Sequence, residues 1–336
     1  MQHKLNGILV LLLFCFSFSA FAQVIEKQKE KIEIVGIHSR EGKEILKKIL
    51  EAVKDETFHI CAADFKHVYH IPEASVNSYV TPPKYDSMYT FIKFVDPIYK
   101  ERIHFIENFP DTLAEEKDWE KISLLFSDYS FSIGSILQVL GGVNATNFDS
   151  IAKSRSYYMD TSAFRIIFET VTLYNKESDK EKAIWTLEND GNFTNRRNAV
   201  LLLKNFMDDD LAMLHIIRAI RHDNASVSGI ATDLIGEYSP WNNGQRDWSF
   251  AAEELRYIID GTNLFAFNQV LEMLTRTKVS TSHAPKLLKG GGDLILDNLK
   301  AEHEREKTIA HNFLVQISGK DFGYDADKWQ EWIKLL

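Results

Sequence analysis

The sequence predicts a mainly helical fold, a solenoid of stacked helix pairs from about residue 121, preceded by a small α/β or irregular region. Three observations predict it. An apolar quartet at i, i+3, i+4, i+7, one face of a helix, recurs six times. Its members are Ile133/Ile136/Leu137/Leu140, Phe164/Ile167/Phe168/Val171, Ala199/Leu202/Leu203/Phe206, Val227/Ile230/Ala231/Leu234, Phe267/Val270/Leu271/Leu274 and Ala310/Phe313/Leu314/Ile317, with first members 31, 35, 28, 40 and 43 residues apart. Partner helices fall between them, as in Met213/Ile216/Ile217/Ile220 and Ala251/Leu255/Ile258/Ile259. This half shows no convincing run of alternating strands. With 45% apolar residues such quartets also arise by chance. The weight therefore rests on their spacing, which is that of helix-pair repeats.

The chain opens as a leader. Lys4 precedes an apolar run from Ile8 to Phe16, and Ala20-Phe21-Ala22 places small residues before Gln23. This is the pattern of a secretory signal peptide over 1–22, and the run is shorter than the ~20 residues that span a bilayer. Cys15 follows a bulky Phe14, which disfavours lipoprotein processing. No second long apolar stretch follows, so no membrane span is expected after the leader. Cleavage removes one base and no acid, taking the net charge of −9 to −10. An acidic surface without a basic stripe disfavours nucleic acid. Cys61 then stands alone, so packing rather than a disulfide must stabilise the chain. With 22 Phe, 12 Tyr and 6 Trp, a packed core is available.

Residues 23–120 form a separate region of unassigned fold. Lys31-Ile32-Glu33-Ile34-Val35-Gly36-Ile37 alternates as a strand does, and Arg40 to Val53 predicts a helix with Ile45, Leu46, Ile49, Leu50 and Val53 inward. Residues 58–71 and 76–82 look extended or irregular, Pro82-Pro83 marks a break, and Phe91 to Ile106 is aromatic-rich and interrupted at Pro97. In the helical half, 121–336, Ser178-Asp179-Lys180-Glu181 fits a capping box. Asp223-Asn224, Ser239-Pro240 and Asp260-Gly261-Thr262 supply breaks between helices.

The C-terminus is a closing piece, 319–336. Gly319 can end a helix in the left-handed conformation and Gly323 permits a tight turn. Asp325 can cap a last helix with Trp329, Trp332, Ile333 and Leu336 on one face, the Trp pair resting on Phe313, Leu314 and Ile317. Gly319-Lys320-Asp321-Phe322-Gly323-Tyr324-Asp325, followed by Trp329 and Trp332, resembles the terminal segment of bacterial exported HEAT-repeat (armadillo-type) proteins, with Ser318 where that segment carries Thr. The resemblance covers under twenty residues and implies a HEAT-like solenoid whose last repeat is covered. Gly319, Asp321, Gly323, Asp325, Trp329 and Trp332 are the structural cap residues it points to.

Candidate chemistry is sparse. Gly36-x5-Gly42-Lys43 imitates a phosphate loop, but its spacing is one residue too long and Glu44 stands where Ser or Thr would hold magnesium. His303-Glu304-x-x-Lys307 begins like a zinc-peptidase helix, yet Lys307 would repel the metal and His311 lies about 12 Å further along the axis. His59, Cys61, His67 and His70 form the one His/Cys cluster. They are competent zinc ligand types in a spacing that matches no familiar site, so buried Cys and half-exposed His are favoured. Gly290-Gly291-Gly292 before Asp293 fits an inter-repeat loop, and Asp208-Asp209-Asp210 and Asp321/Asp325/Asp327 fit helix starts better than calcium ligands. Asp86-Ser87-Met88, Asp111-Thr112-Leu113 and Asp149-Ser150-Ile151 match a bacterial O-glycosylation triplet that arises easily by chance.

No catalytic residue, cofactor or metal is therefore assigned. Two readings stand. One is an exported, periplasmic or secreted, non-enzymatic scaffold binding a protein or peptide on its repeats. The other is a small-ligand binder or hydrolase with its site in the N-terminal region, where His59, His67, Tyr69, His70, Tyr85 and Tyr89 gather. An apolar groove would favour the first and a deep pocket with inward His and acid groups the second.

Overall fold

The computed structural model describes residues 23–27, 30–53, 61–80, 87–107, 113–157, 159–238 and 244–336. Residues 1–22, where a leader is expected, and His59, Pro82-Pro83, Tyr85, Asp86, Asp111-Thr112 and Ser239-Pro240 lie outside them. The chain is mainly helical, with one small N-terminal mixed sheet.

Four strands, β1 (Gln23–Lys27), β2 (Glu30–Val35), β3 (Ala74–Val80) and β4 (Met88–Phe94), lie in the order β1-β2-β4-β3. β2 pairs parallel with β4, while β1 and β3 flank that pair antiparallel. The expected strand and helix are both present, the helix being α1 (Arg40–Val53). Residues 58–71 are not irregular throughout, since α2 (Ala62–Val68) occupies part of that stretch and β3 follows it. Alternation sorts the side chains. Ile32 and Ile34 of β2 with Ile92 and Phe94 of β4 face Leu46 and Ile49 of α1 and Phe65 of α2 in one buried cluster. Gly36 turns the chain out of β2 at φ +96°, where a Cβ would lie 1.9 Å from the Phe94 carbonyl oxygen.

Beyond β4 comes a 3-10 turn, Pro97–Arg102, and, after a second one at Lys117–Trp119, the helices α3 (Glu120–Asp128), α4 (Ile133–Leu140), α5 (Phe148–Arg155) and α6 (Thr161–Thr172). Helix pairs then follow: α7 (Glu177–Asn189) with α8 (Phe193–Leu203), α9 (Asp210–Ile220) with α10 (Ala225–Gly236), and α11 (Ala252–Ile259) with α12 (Phe267–Arg276). A short α13 (Ala284–Leu287) precedes α14 (Asp293–Lys300), α15 (Glu304–Ser318) and α16 (Ala326–Lys334). Packing runs in two rows. α7, α9, α11 and α13 touch in turn along one, and α8, α10, α12 and α15 along the other, while α3 and α4 lie on α8 and α10.

The quartets are the glue of these rows. Every member of the α4, α10, α12 and α15 quartets is buried, as are the partner residues on α9 and α11. Helix starts are set by side chains accepting free backbone N–H groups: Asp160, Asn192, Asp209 and Asn224 each cap the helix they precede. The box at α7 sits two residues earlier than its sequence suggests. Asp179 accepts the Lys176 N–H at 3.0 Å, and Ser178 lies inside the first turn. The reason is that the acid three places on from Lys176 reaches back as well as Glu181 would from Ser178.

At the C-terminus Gly319 takes φ +67° and closes α15, its N–H reaching the Val315 carbonyl at 2.9 Å. Asp321 Oδ1 accepts the Gly323 N–H at 2.8 Å, and Asp325 caps α16 by accepting the Lys328 N–H at 3.2 Å. Trp329 is 0% exposed and Trp332 9%. Both belong to the core that contains Phe313, Leu314 and Ile317, although α16 packs principally on α14. Leu336 does not join this face; it is 44% exposed, because α16 ends at Lys334. No single helix among the described residues is long and apolar enough to cross a membrane.

Candidate functional site

The histidine-cysteine cluster does not converge. Cys61 precedes α2 and His67 lies in its last turn, about 9 Å apart along the axis at 1.5 Å per residue. Cys61, His67 and His70 are all exposed, so Cys61 is not the buried thiol expected, and His59 lies outside the described residues. Among the described residues no three His, Cys, Asp or Glu side chains are arranged to hold a metal. The phosphate-loop imitation is occupied by an acid. Asp96 accepts the N–H groups of His38 (2.6 Å) and Ser39 (2.7 Å) and the Ser39 hydroxyl, at the N-terminus of α1 where a phosphate would bind. His303 and His311 separate completely, the latter pairing with Asp321 at 2.9 Å. The three consecutive acids disperse too: Asp209 pairs with Lys180, Asp210 with Arg246, and Asp208 accepts from the Tyr238 hydroxyl.

A dense set of ionisable groups lies at the joint between the sheet and α14–α15, of which the sequence had singled out only His303 and Tyr89. The second face of the sheet carries Glu33, Val35, Tyr79, Tyr89, Phe91 and Lys93, and all of it turns toward helices. Glu33 caps the start of α15 from another element. Its carboxylate accepts the N–H groups of Glu302 (2.6 Å) and His303 (3.1 Å) and the Tyr89 hydroxyl (2.6 Å). Glu306, fully buried, accepts from the Tyr79 hydroxyl (2.8 Å), from Asn268 at both oxygens (3.0 and 2.9 Å) and from Asn298 (3.1 Å). Lys93 Nζ lies 3.7 Å from the same carboxylate and 4.1 Å from the Phe267 ring centre.

The charges respond as burial and pairing dictate. Burial pushes the Lys93 ammonium down to about 8 despite Glu306. Burial alone would raise Glu306, but Lys93, Asn268 and Tyr79 outweigh it and hold the carboxyl below its ordinary range. Tyr79 and Tyr89 are raised by burial and by the carboxylates they donate to. His303 is lowered, principally by burial, its ring stacked on Tyr79 at 4.3 Å. Each carboxylate already has three or more partners, so this cluster functions chemically as a latch between layers. Tyr89 is the one member of the aromatic N-terminal set that enters it.

Along one edge of the rows runs the segment linking sheet to helices. Arg102 pairs with Asp293 at 2.8 Å, and Thr262 accepts the His104 N–H at 3.0 Å. Arg221 donates twice to the His104 carbonyl, and Ile106 bridges to His222. The Asn195 amide then accepts the Glu116 N–H and donates to the Ala114 carbonyl (2.9 and 3.0 Å). Residues 102–106 thus meet the turns of three helix pairs in reverse order, and residues 114–116 meet that of a fourth. Beside residues 114–116, where α3 meets α8, opens a groove of about 870 Å³. Leu124 (47% exposed) and Phe126 wall it, and the Arg197 guanidinium lies 3.7 Å from the Phe126 ring centre. Exposed Glu115, Lys117 and Glu120 form its rim. No protein family matches this chain, and no curated protein and no solved structure is similar to it.

Proposed function

We propose that this chain is an exported helical-repeat scaffold, a HEAT-like solenoid whose α3–α8 groove binds a peptide segment of another protein. The observation that carries the reading is the groove itself. It is broad and walled by Leu124 and Phe126 with charged residues at its rim, a form that suits the docking of a peptide segment. Two exposed glutamates against one lysine on the rim, together with the apolar wall, suit a segment with a basic residue beside an aliphatic one. The two-row packing and the covered C-terminal end support the solenoid, since such a stack leaves a long surface and must close its last repeat. The leader pattern at Ala20-Phe21-Ala22 supports export. The test is a photo-crosslinking residue placed at Leu124 in the exported protein. One defined partner is expected, lost with Glu120→Lys and not captured from Leu211 on α9. Equal capture from both positions would defeat the assignment.

A further inference from the structure

A second cavity, far smaller, carries an inference of its own. It lies where the α4–α5 connection, the end of α6 and the turn after α8 meet, and measures about 160 Å³. At a liquid share of ≈ 30 Å³ per water that is room for about five waters, or for a molecule of several heavy atoms. Val143, Phe168 and Met207 give it an apolar side. Lys204 and Asp208 give it charge.

These two are four residues apart, the spacing that on a helix brings a lysine and an acid together. Here they do not pair, because α8 ends at Leu203 and the chain passes through a 3-10 turn to Met207. The Lys204 ammonium has no hydrogen bond or ion pair to any described residue and meets only the Phe168 ring, 4.8 Å from the ring centre. Asp208 is held by the Tyr238 hydroxyl alone, at 3.4 Å. Burial pushes the Lys204 ammonium down to about 8, whereas Asp208 is an exposed residue of the lining, raised by partial desolvation with Arg246 opposing. Lys204 therefore gains from a bound counter-charge, Asp208 offers an exposed carboxylate beside it, and the two are not paired with each other.

We propose that this cavity binds a small zwitterion, an α-amino acid of alanine to valine size. Its carboxylate faces Lys204, its ammonium faces Asp208, and its side chain lies against Val143, Phe168 and Met207. One ligand then satisfies both charges without bringing net charge into the protein. A lone carboxylate would meet Asp208 unfavourably, and a lone amine would meet Lys204 unfavourably.

Calorimetric titration of the full chain with alanine at pH 7 tests it, with acetate and ethylamine as comparison ligands. Saturable alanine binding is expected, with acetate and ethylamine at least tenfold weaker. Lys204→Met, which keeps the apolar stem, and Asp208→Asn should each weaken alanine at least tenfold while circular dichroism stays unchanged. If Lys204→Met fails to fold, the pH profile of the unaltered chain replaces it: affinity must fall as the pH rises through about 8. No heat with alanine, equal binding of acetate, or affinity that ignores both variants and pH would show a cavity that holds water only. The proposal would then be overturned, and the docking groove at α3–α8 would be unaffected.

Discussion

The interior of the helical rows and the joint between sheet and helices both exclude water, and they do so with opposite chemistries. Between rows the contacts are mostly Ile, Leu, Val, Phe and Ala, with Trp and Met among them, and what each contributes is chiefly its volume. At the joint the contacts are Glu33, Lys93, Glu306, Asn268, Asn298, Tyr79 and Tyr89, each of which needs one particular partner. An apolar seam stabilises any well-filled arrangement. A polar seam penalises every arrangement but one, because a shifted strand leaves a buried charge unpaired. The sheet is thus held in register on the helices by exclusion as much as by attraction.

Two substitutions separate the seams most strongly. Trp329→Ala removes a fully buried ring from the apolar seam and should cost on the order of 3–5 kcal/mol, read by thermal or urea unfolding. Hydrogen exchange should quicken in 293–336 while β2 and β4 change little. Lys93→Met leaves Glu306 buried without its cation and should cost about as much, ~3–5 kcal/mol. The distinction lies in rescue. Adding Glu306→Leu to Lys93→Met should recover most of the stability, whereas no second truncation near Trp329 should recover its cavity. If the latch double variant is as unstable as the single, the polar seam is not built on that pair.

This difference also explains what was legible beforehand. The apolar quartets placed α4, α6, α8, α10, α12 and α15, since burial of one face is written as period 3.6. α1 was legible to the residue, and so were the turn at Gly319, the break at Asp223-Asn224 and the cap at Asp325. The latch was not. Lys31-Ile32-Glu33-Ile34 has the alternation of a strand with one wet face, and nothing local says that Glu33 will meet α15, 269 residues on, at the N–H of Glu302. The helix α2 was missed because a seven-residue segment offers barely two turns of periodicity. Of the candidate site, Tyr89 was marked among the aromatics; Leu124, Phe126 and Arg197 were not, since a groove between helices distant in sequence has no local signal.

Acid should strike the turns before the core. Burial, with the neighbouring Arg196, pushes His222 down to about 4 from near 6.5, so its ring stays neutral in the folded chain. The unfolded chain takes up a proton first, near 6.5. Stability from the neutral ring is therefore whole above that pH and is lost progressively down to about 4, by on the order of 3 kcal/mol. His222→Gln should flatten that part of the stability–pH curve. A smaller loss, about 0.5–2 kcal/mol, is expected for Asp325→Ala, which removes the cap of α16 but leaves Trp329 in place. It should quicken exchange in 326–334 alone.

The smallest effect concerns the second tie between sheet region and helices, and it runs in the opposite pH direction. His38 Nε2 lies 2.8 Å from the buried Asp297 carboxylate. The hydrogen bond to Asp297 holds the imidazole above its ordinary value, and burial holds Asp297 above its own. A histidine raised by a partner contributes stability that is whole below the unfolded value near 6.5 and disappears as pH rises through the folded one. The raised carboxyl works in the same sense, since ionising it inside the protein costs more than ionising it in water. This tie should therefore weaken above neutrality, whereas the His222 turn strengthens up to neutrality. As a partly exposed pair it should be worth ~0.2–1 kcal/mol. His38→Gln, which keeps a hydrogen bond without the charge, should remove the alkaline slope in exchange at 30–38 and leave 293–299 protected by the rest of the latch. A falling slope that survives in His38→Gln would show that His38 does not set it, and Lys93 could not replace it, since a lysine lowered by burial contributes stability that rises with pH.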